Sequence, residues 1–116
     1  MKDIIDELAV WGCDIPSAME RLGGDKALYL DCLKIFAKDE NFANLGKFLK
    51  EKNYEEAFNC AHGLKGVAAN LSLGPLLNSI TTVSDALKHH EPEVAEANYP
   101  ELVTNKEKYD KIVTEE

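Results

Sequence analysis

Apolar residues recur every three or four positions along almost the whole chain, and no period-two alternation lasts for a strand length, so the pattern predicts helices throughout. Two short amphipathic segments, over 3–10 and 16–22, precede a Gly23-Gly24 turn. Asp25 is the expected N-cap of a long helix reaching about residue 51, with Leu28, Cys32, Ile35, Phe36, Phe42, Leu45 and Leu49 as its core stripe. Asn53, followed by Glu55 and Glu56 in a favourable first turn, is expected to cap a helix ending near Leu71. Gly74-Pro75 marks a turn and a new start, since proline is tolerated in a first turn. That helix carries Leu76, Leu77, Ile80, Val83 and Leu87, and Lys88, His89 and His90 close it at the negative end of its dipole. A last helix runs from about residue 92 to 113, with Val94, Leu102, Val103, Tyr109, Ile112 and Val113 as candidate core. A kink or break is expected at Pro100, because proline lacks a backbone donor and clashes with the preceding turn. Four long amphipathic helices joined by short turns predict an all-α fold: an antiparallel four-helix bundle over 25–113, with short extra N-terminal helices over 3–22 at one end. The whole of 1–116 reads as a single domain, and Trp11 is expected to cover one end of it.

The stretch from Ala61 to Leu71 adds a chemical candidate. Drawn at about 100° per residue, Cys60, Leu64, Val67 and Leu71 gather on one side, flanked by Ala57, Ala61 and Ala68. His62 points roughly the other way, with Lys65, Gly66 and Ala69 beside it. A helix that only had to pack has little reason to hold Gly63 and Gly66 there, since a helical glycine costs about 1 kcal/mol relative to alanine. Close approach of another molecule to His62 is a reason.

Composition narrows the function classes. The 116 residues are 45% hydrophobic and 29% charged, as expected of a globular domain able to bury a core. A net charge of −8, with the acidic residues spread along the chain as on solvated helix faces, argues against a nucleic-acid partner, which needs clustered Lys and Arg. No apolar run is long enough to cross a bilayer, and the start of the chain lacks a signal-peptide pattern, so a cytoplasmic location and no membrane partner are expected. Cys13, Cys32 and Cys60 are odd in number and scattered, which argues against a disulfide framework; Cys32 and Cys60 read as small core residues. Cys60 and His62 cannot share a helix face, and His89 and His90 diverge by about 100°, so no metal site is expected. No phosphate-binding glycine loop is present, and no cofactor is expected.

His62-Gly63-Leu64-Lys65-Gly66, then Ala68-Ala69 and Leu71, resembles the signature of histidine-containing phosphotransfer (HPt) domains. Ser72 stands where that family often has a further glycine, a departure that bears on the helix end rather than on the chemistry. The lead-in from Ala18 to Asp25, the Leu28-Tyr29-Leu30 opening and the spacing to the histidine are similar as well, so that the resemblance spans about residues 14–90. It implies a phosphorelay intermediate, not an enzyme in its own right, that takes a phosphoryl group from a receiver-domain aspartate onto His62 and gives it up again. The implied partners are response-regulator receiver domains or a hybrid sensor histidine kinase, met as a monomer in two-component signal transduction. In that reading the outward nitrogen of His62, Nε2, is the phosphorylated atom.

Imidazole suits such a relay because its pKa near 6.5 leaves a neutral, nucleophilic nitrogen at physiological pH. Lys65, one turn on, is placed to offset phosphoryl charge; Gly66 leaves clearance; Phe58, Asn59 and Ala69 line the docking surface. The resemblance adds Ser84, where relatives often carry a longer polar side chain able to hold the ring, and Lys88, a common basic position. A non-catalytic helical adaptor for a receiver domain, and a phosphoacceptor domain cut from a larger histidine kinase, are the alternatives. The Met start and short length fit an independent protein better than the second of these.

Overall fold

The computed structural model describes residues 3–114. They form α1 (Ile4–Trp11), α2 (Ile15–Arg21), α3 (Lys26–Ala37), α4 (Asn41–Lys50), α5 (Tyr54–Asn70), α6 (Gly74–Lys88) and α7 (Pro92–Thr114), an all-α fold. Short polar side chains set four of the starts. Asp3 accepts from the Ile5 and Asp6 amides at 2.9 and 3.3 Å, Asp14 from Ser17 at 3.2 Å, Asp25 from Leu28 at 3.0 Å and Asn53 from Glu56 at 3.3 Å. Each satisfies a donor that the first helical turn leaves without a partner, worth about 1 kcal/mol.

Packing follows chain order over the second half: α5 lies against α4 and α6, and α6 against α7, while α3 also packs on α7. The two N-terminal helices sit at the margin, α1 against α7 and α2 against both α1 and α3. Leu33, Leu45, Leu64, Leu76, Ile80 and Val113 are fully enclosed between them. Trp11 is half-buried against this core, its ring 5.9 Å from the Lys108 ammonium. None of the described helices is long and apolar enough to cross a membrane.

The helix expected over 25–51 is broken. Lys38 caps α3, and the Asp39 carboxylate accepts from the Asn41 amide at 2.9 Å, a local hydrogen bond that competes with helix continuation and starts α4. The carbonyl of Ala37, orphaned by the break, accepts from Lys106 Nζ of α7 at 3.0 Å. The stripe of α3 is correspondingly rotated. Tyr29, Leu33 and Phe36 are buried, Cys32 is half-buried, and Leu28 and Ile35 are 44% and 71% exposed. Tyrosine is tolerated in the core here because its hydroxyl finds a partner: Tyr29 donates to the Leu71 carbonyl at 2.9 Å and Tyr109 to that of Leu33 at 2.6 Å. Tyr29→Phe is therefore expected to lower stability by about 1–2 kcal/mol, because the Leu71 carbonyl stays buried without its donor. Denaturant unfolding checks this, and an unchanged midpoint would contradict it.

In α7 there is no break at Pro100: the helix continues through it, with Ala95, Leu102 and Tyr109 buried on either side, so tertiary packing outweighs the one lost backbone hydrogen bond. Val94 and Val103 face solvent, while Leu102, Tyr109, Ile112 and Val113 are core as expected.

Candidate functional site

The α5 helix owes its orientation to small and aliphatic residues on one side. Ala57, Cys60, Ala61, Leu64 and Ala68 are buried, and the alanines let α4 and α6 close on its flanks. Burial, reinforced by the Glu56 and Asp39 carboxylates, pushes the Cys60 thiol above its ordinary pKa, as suits an inert core residue. Asn59, His62, Gly66 and Ala69 are exposed on the opposite side. Val67, expected inside, is 37% exposed, because α3 leaves the far end of α5 partly uncovered.

The C-terminal end of α5 is fastened by its neighbours. Ser72 takes a left-handed φ of 56° and donates to the Ala69 carbonyl, while Leu73 donates to that of Ala68, the pairing that closes many helices. This is a conformation in which glycine is at ease, yet here serine contributes a hydroxyl. Arg21 Nη1 of α2 donates to Ser72 Oγ at 2.7 Å and to the Asn70 carbonyl at 3.0 Å, and Tyr29 of α3 holds the Leu71 carbonyl. The helix bearing His62 is thus anchored from two other elements.

The imidazole of His62 stacks on Phe58, one turn earlier, with centroids 5.5 Å apart and planes inclined by 27°. Phe58 is half-buried against the core, so it is both a wall for the ring and a link to the interior. Neither glycine beside the ring is demanded by packing within the chain. A Cβ on Gly66 would meet nothing within 4 Å, and one on Gly63 would make only an ordinary 3.5 Å contact with Asn41 Nδ2. Gly46 of α4 differs: a Cβ there would overlap the Tyr99 hydroxyl of α7.

The remaining candidates are placed unevenly. Lys65 lies beside α6, its ammonium 3.7 Å from Asp85 Oδ1. Asn59 donates to Glu56 at 3.2 Å, and Ala69 is exposed two turns beyond His62. Lys88 is exposed as the last residue of α6. Ser84 is 2% exposed, within the inner face of α6, and among the described residues no hydrogen bond joins it to the His62 ring. Its short side chain is spent on packing. His89 turns its Nδ1 to the Asp85 carbonyl at 2.7 Å, closing the helix as its position suggests.

Beside the exposed side of α5 runs an apolar groove against α3, lined by Leu22, Cys32, Ile35, Phe36, Val67 and Leu71, with Arg21 and Lys38 on its rim. The stripe misassignment in α3 hid it: Ile35 and Val67 are groove residues rather than core. Asp85 also escaped the sequence reading, since its pairing with Lys65 joins two helices and has no local spacing to reveal it. Comparison with protein-family models, curated proteins and solved structures found no match to this chain.

Proposed function

We propose that this chain is a phosphorelay intermediate of the HPt type, which accepts a phosphoryl group on His62 from a receiver-domain aspartyl phosphate and returns it to another receiver. One observation carries this reading: an exposed imidazole, braced by Phe58, beside a glycine at 66 that the chain's own packing does not require. In this reading α3 with α4, α5, α6 and α7 serve as the four arms of an antiparallel bundle, which acts as a rigid mount for the ring.

The chemistry follows from the imidazole. A neutral ring attacks phosphorus through Nε2, the bond from phosphorus to the aspartyl oxygen breaks, and the aspartate leaves as a carboxylate. The proton left on Nδ1 passes to solvent. Attack has to be in line, so the ring must enter the partner's pocket, and any side chain at position 66 would stand in the way. The stack on Phe58 limits the rotamers the ring must give up on docking. Lys65 supplies positive charge near the phosphoryl oxygens, and its effect grows as docking excludes water.

Gly66→Gln separates approach from folding. It is expected to raise stability by up to about 1 kcal/mol, because the position is helical and open. It is also expected to slow transfer from a phosphorylated receiver domain by about tenfold or more. Stopped-time labelling alongside thermal unfolding reads both, and a variant that is more stable yet transfers at the wild-type rate would remove the clearance role.

A second reading, a non-catalytic adaptor, is favoured by the apolar groove along α3 and α5, which would suit binding without chemistry. Mixing the protein with a phosphorylated receiver domain distinguishes the two. Relay function yields an acid-labile, base-stable phosphate on this chain, whereas an adaptor binds and remains unlabelled.

A further inference from the structure

We infer that Asp85 is a positioning residue for the proposed phosphoryl site: its carboxylate holds the Lys65 ammonium in the resting protein and competes for it with a phosphoryl group on His62. The inference rests on the phosphorelay reading. Lys65 and His62 are three residues apart on α5, the spacing at which helical side chains are neighbours, while Asp85 reaches Lys65 from α6. The separation of 3.7 Å is longer than a charge-assisted hydrogen bond, and the side chains are 38% and 53% exposed, so the hold is loose. Lys65 has a flexible four-carbon stem and can change partner without moving its helix.

A phosphoryl group on His62 brings more negative charge than a carboxylate, with three acceptor oxygens. Lys65 then turns to the phosphoryl group. Asp85 loses its cation and stands, unpaired, near a group of its own sign. Both effects raise the energy of the phosphorylated form relative to the resting one. Asp85 therefore keeps the phosphoryl group easy to pass on, and Lys65 decides how strongly it is held.

The test is an equilibrium with N-phosphoimidazole as the phosphoryl donor and free imidazole as the product. The phosphorus–nitrogen bond of the donor breaks, a new one forms to His62, and the His62 ring proton goes to the released imidazole. The species are read by ³¹P NMR, and the His62 signal is defined as the one that His62→Gln lacks. Asp85→Asn is expected to raise the equilibrium constant for His62 phosphorylation by about two- to fivefold, the range of a surface ion pair. Asp85→Glu is expected to restore the wild-type value, and Lys65→Gln to lower it. In the Lys65→Gln background Asp85→Asn should raise it by clearly less, because only the like-charge repulsion is left to relieve. An unchanged constant in Asp85→Asn, or the same rise with Lys65 already removed, overturns the inference while leaving the phosphorelay reading intact. A wild-type spectrum with no signal beyond that of His62→Gln overturns the reading itself, and the inference with it.

Discussion

His62→Gln is expected to reduce phosphoryl acceptance from a phosphorylated receiver domain to background while leaving the fold unchanged. Glutamine keeps the length, polarity and helical compatibility of the position, but its amide nitrogen has no available lone pair and cannot attack phosphorus. Its structural cost is small. The ring is exposed and its main contact is the stack on Phe58, so the stability change should stay within about 1 kcal/mol. Parallel labelling and circular dichroism would show a folded, inactive protein; equal labelling of variant and wild type would take His62 out of the mechanism.

Leu64→Ala is expected to have the opposite profile. Leu64 is fully buried on the side of α5 that faces the core, two residues from an exposed histidine. Its truncation leaves a cavity between packed helices and should cost about 2–5 kcal/mol. That is a large share of the roughly 5–15 kcal/mol that hold a domain of this size together, and thermal unfolding should shift down by about 10 °C or more. At low temperature, where the variant remains folded, transfer to His62 should approach the wild-type rate. A wild-type melting temperature would place Leu64 outside the core and the assigned orientation of α5 in error.

Features written in neighbouring residues were the ones legible in the sequence. The caps at Asp25 and Asn53, the start at Gly74-Pro75 and the outward direction of His62 each depend on a few adjacent positions, and each is found in the structure. The break between α3 and α4 was not legible, because Ile35, Phe42 and Leu49 keep helical spacing across it and the donor that tolerates the interruption, Lys106, comes from α7. The rotated stripe of α3 has a related cause. Aliphatic Leu28 and Ile35 are the more hydrophobic choices, yet Tyr29 is inside because a distant carbonyl, that of Leu71, accepts its hydroxyl hydrogen bond. Pro100 shows the same balance, with buried residues on both sides of it carrying the helix through.

The site divides along the same line. Phe58, His62 and Gly66 share one helix, so their common face was readable from helical periodicity. Ser84 and Asp85 adjoin each other on α6, and periodicity within α6 could not say which of them meets the α5 residues; contact between the helices turns Ser84 inward and Asp85 towards Lys65. Charge near the imidazole is therefore set by a pair that only the folded arrangement brings together.

The most direct measurement is localisation of the phosphate. The protein would be labelled by a phosphorylated receiver domain, kept alkaline, digested and sequenced by mass spectrometry under conditions that preserve phosphorus–nitrogen bonds. The account predicts phosphate on His62, lost on brief acid treatment. Phosphate confined to His89 or His90, or a chain that binds the receiver and stays unmodified, would contradict it.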